Sequence, residues 1–300
     1  MTRQVDTIPN FGSFKKFSML LLFRFLALLP LVLLHAMGKV AGFCVYGLRP
    51  RYRNRLLSNL RQAEVCEPDK CKKLARHVAG QSGCAVMELP KLWLSSTSGI
   101  NKLVKQVQGF DQAIANRSEG QGVVFLTPHL GSFELAGQYI GSKIPLTAMY
   151  RPPREARIEP IMRAGRERFY ANLAPTNLRG VRMLVRALRS GEAIGLLPDQ
   201  VPVSGEGVWV PFFGRTAYTM TLAPKLILAT EARTVLTWAE RLPCGRGYIL
   251  KFIKLDFESD DEAGLALEIN SAMERVIRTL PGQYLWSYNR YKMPRVKETR

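Results

Sequence analysis

Val123-Val124-Phe125-Leu126-Thr127-Pro128-His129-Leu130-Gly131-Ser132-Phe133-Glu134 decides the reading of this chain. The four apolar residues at its start read as a short buried strand, and Leu135 to Ile140 continue as a helix, so the stretch is a strand-to-helix turn. Pro128 and Gly131 suit the turn, and Ser132 is placed to cap the helix, with Glu134 in its first turn and His129 in the loop before it. Five positions on a continuous helix correspond to about 140° of rotation, which points two side chains apart. His129 and Glu134 can therefore meet only if the helix starts between them. A carboxylate on one imidazole nitrogen fixes the tautomer and leaves the other free to take a proton from a hydroxyl. The plainer alternative is that His129 satisfies local backbone groups and Glu134 is a solvated acid favoured by the helix dipole.

The rest of the chain supplies few competitors. Of its three histidines, His35 lies in the N-terminal apolar segment and His77 in a helical stretch from Asp69 to Leu89. There is no His-Glu-x-x-His run and no Cys/His cluster at ligand spacing, so metal catalysis is not expected. Gly80-Gln81-Ser82-Gly83-Cys84 fails as a nucleophile elbow at its last position, leaving the nucleophile to the substrate. No phosphate-binding loop or dinucleotide fingerprint occurs, and no cofactor is indicated. Five cysteines without a Cys-x-x-Cys pair read as ordinary reduced thiols of a domain facing the cytosol.

Beyond the turn, strand-like and helical runs alternate. Strands are expected at Pro145 to Tyr150, Ala193 to Leu197, Thr234 to Glu240 and Tyr248 to Phe257. Helices are expected at Ile158 to Asn172, Val181 to Ser190, Thr216 to Thr230 and Glu262 to Leu280. The fold class is α/β, a central mixed sheet flanked by helices. The connection from Pro198 to Gly214 is long, and its Trp209, Phe212 and Phe213 either edge an apolar groove or pack on the sheet.

From Ser18 to Leu34 the chain is apolar except for Arg24, and apolar character resumes from Val40 to Leu48. Such a segment either crosses a bilayer or lies in its interface, and without a small-residue cleavage site it reads as a retained anchor. Arg49, Arg51, Arg53 and Arg55 follow as a collar suited to lipid phosphates. The expected division is an anchor over 1–48 and a catalytic domain over 49–300. Lysine and arginine number 43 against 24 acids, a net charge of +19, which calls for an acidic partner. Ten arginines and three glutamates fall between Arg151 and Arg189, yet no recognised nucleic-acid motif accompanies them, so nucleic acid is not the expected partner. Phosphorylated lipid fits both the charge and the apolar segment.

These blocks together resemble the late acyltransferases of lipid A biosynthesis, the lauroyl/myristoyl group of the lysophospholipid acyltransferase superfamily. His129 to Glu134 is similar to that group's His-x4-Asp/Glu motif, Tyr150-Arg151-Pro152 to its second block, and Arg179-Gly180 with Arg186-Ala187-Leu188 and Gly191-Glu192 to its third. Leu197-Pro198-Asp199-Gln200, Val210 to Gly214 and Tyr284-Leu285-Trp286 continue the resemblance in order, and Phe133 stands where many members carry tryptophan. The resemblance implies a glycerolipid acyltransferase-like fold with an N-terminal membrane-anchoring helix, at the cytoplasmic side of a bacterial inner membrane. It implies transfer of a fatty acyl group from acyl carrier protein to a hydroxyl of a lipid A precursor, a phosphorylated glycolipid. His129 is then the general base, oriented by Glu134. Arg179 is the first candidate for oxyanion donor, Arg151 for substrate phosphate, and Asp199 either positions Arg179 or a substrate hydroxyl or caps its loop. Two alternatives stay open: an acyltransferase of the same superfamily acting on a glycerophospholipid or aminolipid, and a non-catalytic membrane protein that binds anionic lipid.

Overall fold

The computed structural model describes residues 14–115, 117–153 and 155–296. The expected anchor and catalytic regions therefore begin and end outside the described residues, at 1–13 and 297–300. A helical N-terminal part comprises α1 (Phe14–Leu28), α2 (Leu31–Leu48), α3 (Pro50–Gln62), α4 (Cys71–Met87), α5 (Leu89–Leu94) and α6 (Thr97–Leu103). Then come β1 (Val104–Gln108), α7 (Phe110–Ile114), β2 (Val123–Leu126), α8 (Phe133–Lys143), β3 (Leu146–Tyr150), α9 (Glu159–Glu167) and β4 (Asn172–Pro175). The chain continues with α10 (Leu178–Arg189), β5 (Ala193–Leu196), the hairpin β6 (Gly207–Phe212) and β7 (Arg215–Met220), and α11 (Leu222–Thr230). It closes with β8 (Arg233–Arg241), β9 (Tyr248–Leu255) and α12 (Glu262–Thr279).

Seven strands form one mixed sheet in the order β1-β9-β8-β2-β5-β3-β4, antiparallel only between β8 and β9. Central β2 is fully buried, as an unbroken apolar run flanked by parallel strands must be. Alternation sends its side chains to opposite faces. Val124 and Leu126 join Ile194, Leu196 and Leu236 under α10, α11 and α12, while Val123 and Phe125 meet Leu135 and Ile140 of α8. Each such burial contributes roughly 1.5–3 kcal/mol. The α12 stripe Leu265, Ile269, Met273 and Val276 is buried at helical spacing, and Asp261 caps the helix by accepting from the Gly264 amide at 2.6 Å.

The mixed α/β sheet matches the expectation; several boundaries differ. The helix expected to Asn172 ends at Glu167, and an edge strand, β4, takes Asn172 to Pro175, where a terminal proline costs no ladder bond. Residues 207 to 220, expected as connection and helix start, form a hairpin instead. Its tip, Phe213-Gly214, has positive φ at both positions (49° and 72°), the pattern of a type I′ turn. Tertiary bonds hold the tip: the Phe213 amide donates to Glu274 and its carbonyl accepts from Gln62, both at 2.7 Å. Phe212 and Phe213 are core residues, whereas Trp209 lies exposed on the hairpin against Tyr218. The cysteine expectation is corrected: Cys66 and Cys71 form a disulfide across the turn joining α3 to α4, while Cys44, Cys84 and Cys244 are free.

Helix α2 is long and apolar enough to cross a membrane by length and composition. One of its faces is nonetheless sealed against α4. Gly38 and Gly42 of α2 meet Ala79, Gly80, Gly83 and Cys84 of α4 so closely that a β-carbon at Gly38, Gly42 or Gly83 would strike the opposite backbone.

Candidate active site

Strand pairing brings together residues that the sequence keeps apart. Parallel β2 and β5 place Leu126 opposite Leu196, and the Thr127 amide extends the ladder to the Leu196 carbonyl at 2.9 Å. Three residues beyond each strand stand His129 and Asp199. The His129 Nδ1 and an Asp199 oxygen are 2.7 Å apart, and the His129 amide donates to the other oxygen at 2.8 Å. One carboxylate thus holds both ring and backbone. It lies at the carboxyl ends of the parallel strands, beside β2, where the strand order reverses and open α/β sheets place their ligands.

Asp199 is buried, which pushes its carboxyl pKa up; the His129 ring, the two hydrogen bonds and Arg290 outweigh this and bring it below the usual carboxylate range. Facing an ionised acid, Nδ1 carries the ring proton and Nε2 presents its lone pair. The Gln200 amide donates to that lone pair at 3.1 Å. The Phe133 ring stands against the imidazole, with centroids 4.9 Å apart. Burial and the nearby Asp199 charge raise Tyr284 far above an ordinary phenol, so it stays neutral.

Glu134 turns elsewhere. Ser132 occupies the N-cap position of α8 without a side-chain capping bond, and Glu134 follows in the first turn, as the spacing predicts. Its carboxylate, however, faces α5 and α9: it accepts from Trp93 Nε1 at 2.8 Å and, bidentately, from Arg166 Nε and Nη2 at 2.8 and 2.7 Å. Burial opposes the Arg166 charge, and Glu134 more than compensates, raising its pKa. The orienting contact expected from Glu134 is therefore made by Asp199, because helix rotation carries Glu134 to the flank while strand register delivers Asp199.

The turn between them is clamped from behind. Gly131 adopts φ +62°, and a β-carbon there would strike the Ala239 carbonyl of β8. Its amide donates to the Gln283 carbonyl at 3.1 Å, and the Ser132 amide to the Ala239 carbonyl at 2.8 Å. Arg241 Nη2 donates to the Gly131 carbonyl at 2.7 Å and, with Nε, grips Glu88. Glu88 also accepts from the Tyr248 hydroxyl and adjoins His35. Burial would raise the Glu88 pKa, but the Arg241 guanidinium holds it at about 2.

Arg151 follows β3 and Arg179 begins α10 beyond β4, two and three strands from β2, about 10 and 14 Å across at ~4.8 Å per strand. Both are exposed, and neither side chain bonds to the His129–Asp199 pair. Arg179 instead joins Arg182, Arg186 and Arg189 as an exposed stripe on α10, where Arg182, Arg186 and Arg189 border a shallow depression of about 440 Å³. Among the described residues no cluster of His, Cys, Asp or Glu could hold a metal ion. Sequence reading missed Trp93, Arg166, Arg241 and Arg290, whose partners Glu134, Glu88 and Tyr218 lie 32 to 153 residues away and leave no local signature. Gln200 stood in a quoted block, and only the structure gives it a partner.

The profile of the family described as bacterial lipid A biosynthesis acyltransferase matches residues 11–293. The chain belongs to this family. Among relatives, it is 29% identical over 259 residues to the lipid A biosynthesis palmitoleoyltransferase of Escherichia coli K12, covering 84% of this chain and 83% of that one. It is 26% identical over 279 residues to a lipid A biosynthesis acyltransferase of Haemophilus influenzae, covering 90% and 88%. The lipid A biosynthesis lauroyltransferase of E. coli K12 is 25% identical over 239 residues, 77% of each chain. Family membership makes this an acyltransferase of lipid A biosynthesis, and it accords with an imidazole presenting an accepting nitrogen at the mouth of the sheet.

Proposed function

We propose that the protein transfers a fatty acyl chain from acyl carrier protein to a hydroxyl of a lipid A precursor, with His129 as general base. The observation carrying this reading is the Asp199–His129 pair, which aims the Nε2 lone pair at the open end of the sheet. His129 takes the proton of the acceptor hydroxyl, whose oxygen attacks the thioester carbonyl. Collapse of the tetrahedral intermediate breaks the C–S bond, and the leaving thiolate takes the proton back from Nε2. General-base help of this kind is worth about 10² to 10⁴ in rate. Asp199 supplies the orienting role, and Glu134 braces α8 against α5 and α9 through Trp93 and Arg166 beside the base. Arg151 remains the candidate for acceptor phosphate.

The basic stripe on α10 fits an acidic donor carrier. At the other end, Leu21, Leu22, Phe25, Leu28, Val32 and Val40 of α1 and α2 are exposed apolar side chains. With one face of α2 sealed on α4, these helices lie in the interface of the inner membrane, and exposed Arg49, Arg51 and Arg55 meet the phosphates of its cytoplasmic leaflet. Residues 1–48 then act as the anchor and 49–300 as the catalytic part.

The test is mass-spectrometric: purified protein, a panel of acyl carrier protein thioesters, and lipid A precursor beside lysophospholipid. Acyl mass gained by the lipid A precursor and lost in His129→Ala supports the reading. Gain on lysophospholipid alone moves the acceptor to a glycerophospholipid, and lipid retention without any transfer points to a binding protein.

A further inference from the structure

The assigned machinery leaves one gap, the group that receives charge on the thioester oxygen. Arg179 stands three strands away. Gln200 stands on the base itself: its side-chain amide is 3.1 Å from His129 Nε2, the nitrogen that must receive the acceptor proton. Its backbone is fixed on both sides. Asp199 before it carries two bonds to His129, and the Val201 amide after it donates to the Tyr288 hydroxyl at 2.9 Å. Gln200 is half-buried, and no other side-chain bond holds its amide among the described residues. The amide is thus an unshared donor aimed at the reacting nitrogen.

Because Asp199 keeps the ring proton on Nδ1, Nε2 has one lone pair and the acceptor hydroxyl must take the place of the Gln200 amide. The incoming oxygen then lies about 3 Å from Nε2, and the thioester carbon about 3–3.5 Å beyond it. A donor released from Nε2 stands within a side-chain rotation of the carbonyl oxygen bonded to that carbon. We propose that Gln200 is a catalytic residue that caps His129 Nε2 at rest and, displaced by the acceptor hydroxyl, donates its amide hydrogen to the thioester oxyanion. As the C–O bond forms, the carbonyl π pair moves to oxygen and the hydroxyl proton to Nε2. Gln200 gives a hydrogen bond to the oxygen and neither gains nor loses a proton, and the C–S bond then breaks as described above. The proposal rests on the acyl-transfer reading.

The test uses the full chain in detergent with acyl carrier protein thioester and lipid A precursor, comparing wild type, Gln200→Ala, Gln200→Glu and His129→Ala. Loss of an oxyanion donor lowers kcat by about 10²- to 10³-fold, with KM little changed, in Gln200→Ala. Gln200→Glu offers an acceptor in place of the donor and is not expected to restore the rate. A second reading needs no turnover: diethyl pyrocarbonate attacks an unprotonated imidazole, so peptide mass spectrometry should show faster carbethoxylation of His129 once the cap is gone. If kcat of Gln200→Ala stays within about threefold of wild type while His129→Ala is inactive, the oxyanion role is overturned and the acyl-transfer reading stands. Lowered kcat with unchanged carbethoxylation overturns the resting contact on which the proposal is built. If the wild type transfers no acyl group, both readings fall.

Discussion

Replacing Asp199 by asparagine changes one atom and separates the two carboxylates near His129. In the native site one Asp199 oxygen faces ring Nδ1 at 2.7 Å and the other accepts from the His129 amide at 2.8 Å. Asparagine offers one acceptor oxygen and one donor NH₂. The backbone amide cannot give up its hydrogen, so the oxygen must stay with it and the NH₂ must face Nδ1. The ring then moves its proton to Nε2, and the base nitrogen becomes a donor. In a Ser-His-Asp triad the same amidation lowers kcat by about 10⁴, equivalent to about 5 kcal/mol of transition-state stabilisation. We expect a loss of that order in Asp199→Asn, measured as single-turnover acyl transfer to the lipid A precursor, with the melting temperature nearly kept. Glu134→Gln retains an acceptor for Trp93 or Arg166 and should lose about tenfold or less. Nitrogen-15 shifts of the histidine ring should report the tautomer change in Asp199→Asn alone. An Asp199→Asn enzyme within about tenfold of wild type, beside an inactive Glu134→Gln, would refute the assignment of Asp199 as the orienting acid.

Gly131→Ala should destabilise the fold by about 1–3 kcal/mol through its positive φ and the Ala239 carbonyl, read as a lowered denaturant midpoint, and activity should fall with it. Glu88 is held at about 2, below an ordinary glutamate near ~4.3, so its contribution of about 3 kcal/mol is complete above pH ~4.3 and lost as the pH falls towards 2. In Glu88→Gln that acid limb of the stability curve should vanish, and the fold should lose about 3–5 kcal/mol at neutral pH because the buried Arg241 charge loses its counter-ion. Salt up to about 0.5 M should reduce turnover through the screened +19 charge. Arg182→Glu with Arg186→Glu should lower kcat/KM for a carrier-bound donor more than for the same acyl group on a small thiol; equal effects would remove α10 from donor binding.

What the sequence made legible was local. The strand and helix around His129 follow from an apolar run meeting Pro128, Gly131 and Ser132, and the helices and main strands follow from their periodicity. Asp199 was visible as a post-strand acid, but its partner was not, because seventy residues separate it from His129 and only the pairing of β2 with β5 closes that gap. Glu134 misled because two acids near one histidine differ only in direction, and direction is set by α8 docking on α5 and α9. The β6–β7 hairpin escaped because its tip, Phe213-Gly214, takes its conformation from Glu274, Gln62 and Trp286 rather than from turn residues at both positions.

The seam of Gly38, Gly42, Gly80 and Gly83 carries a consequence for how the protein comes apart. Backbone lies against backbone there, so α2 cannot lift from α4 by swinging a side chain. His35 rides on the same face, beside the Glu88 that holds Arg241 and, through it, the Gly131 carbonyl. Peeling α2 away would strip a partner from a buried acid two contacts behind the turn at His129. Helix α2 and the turn at His129 should therefore melt as one cooperative unit, and under the proposed interfacial placement lipids that hold α2 would protect that turn.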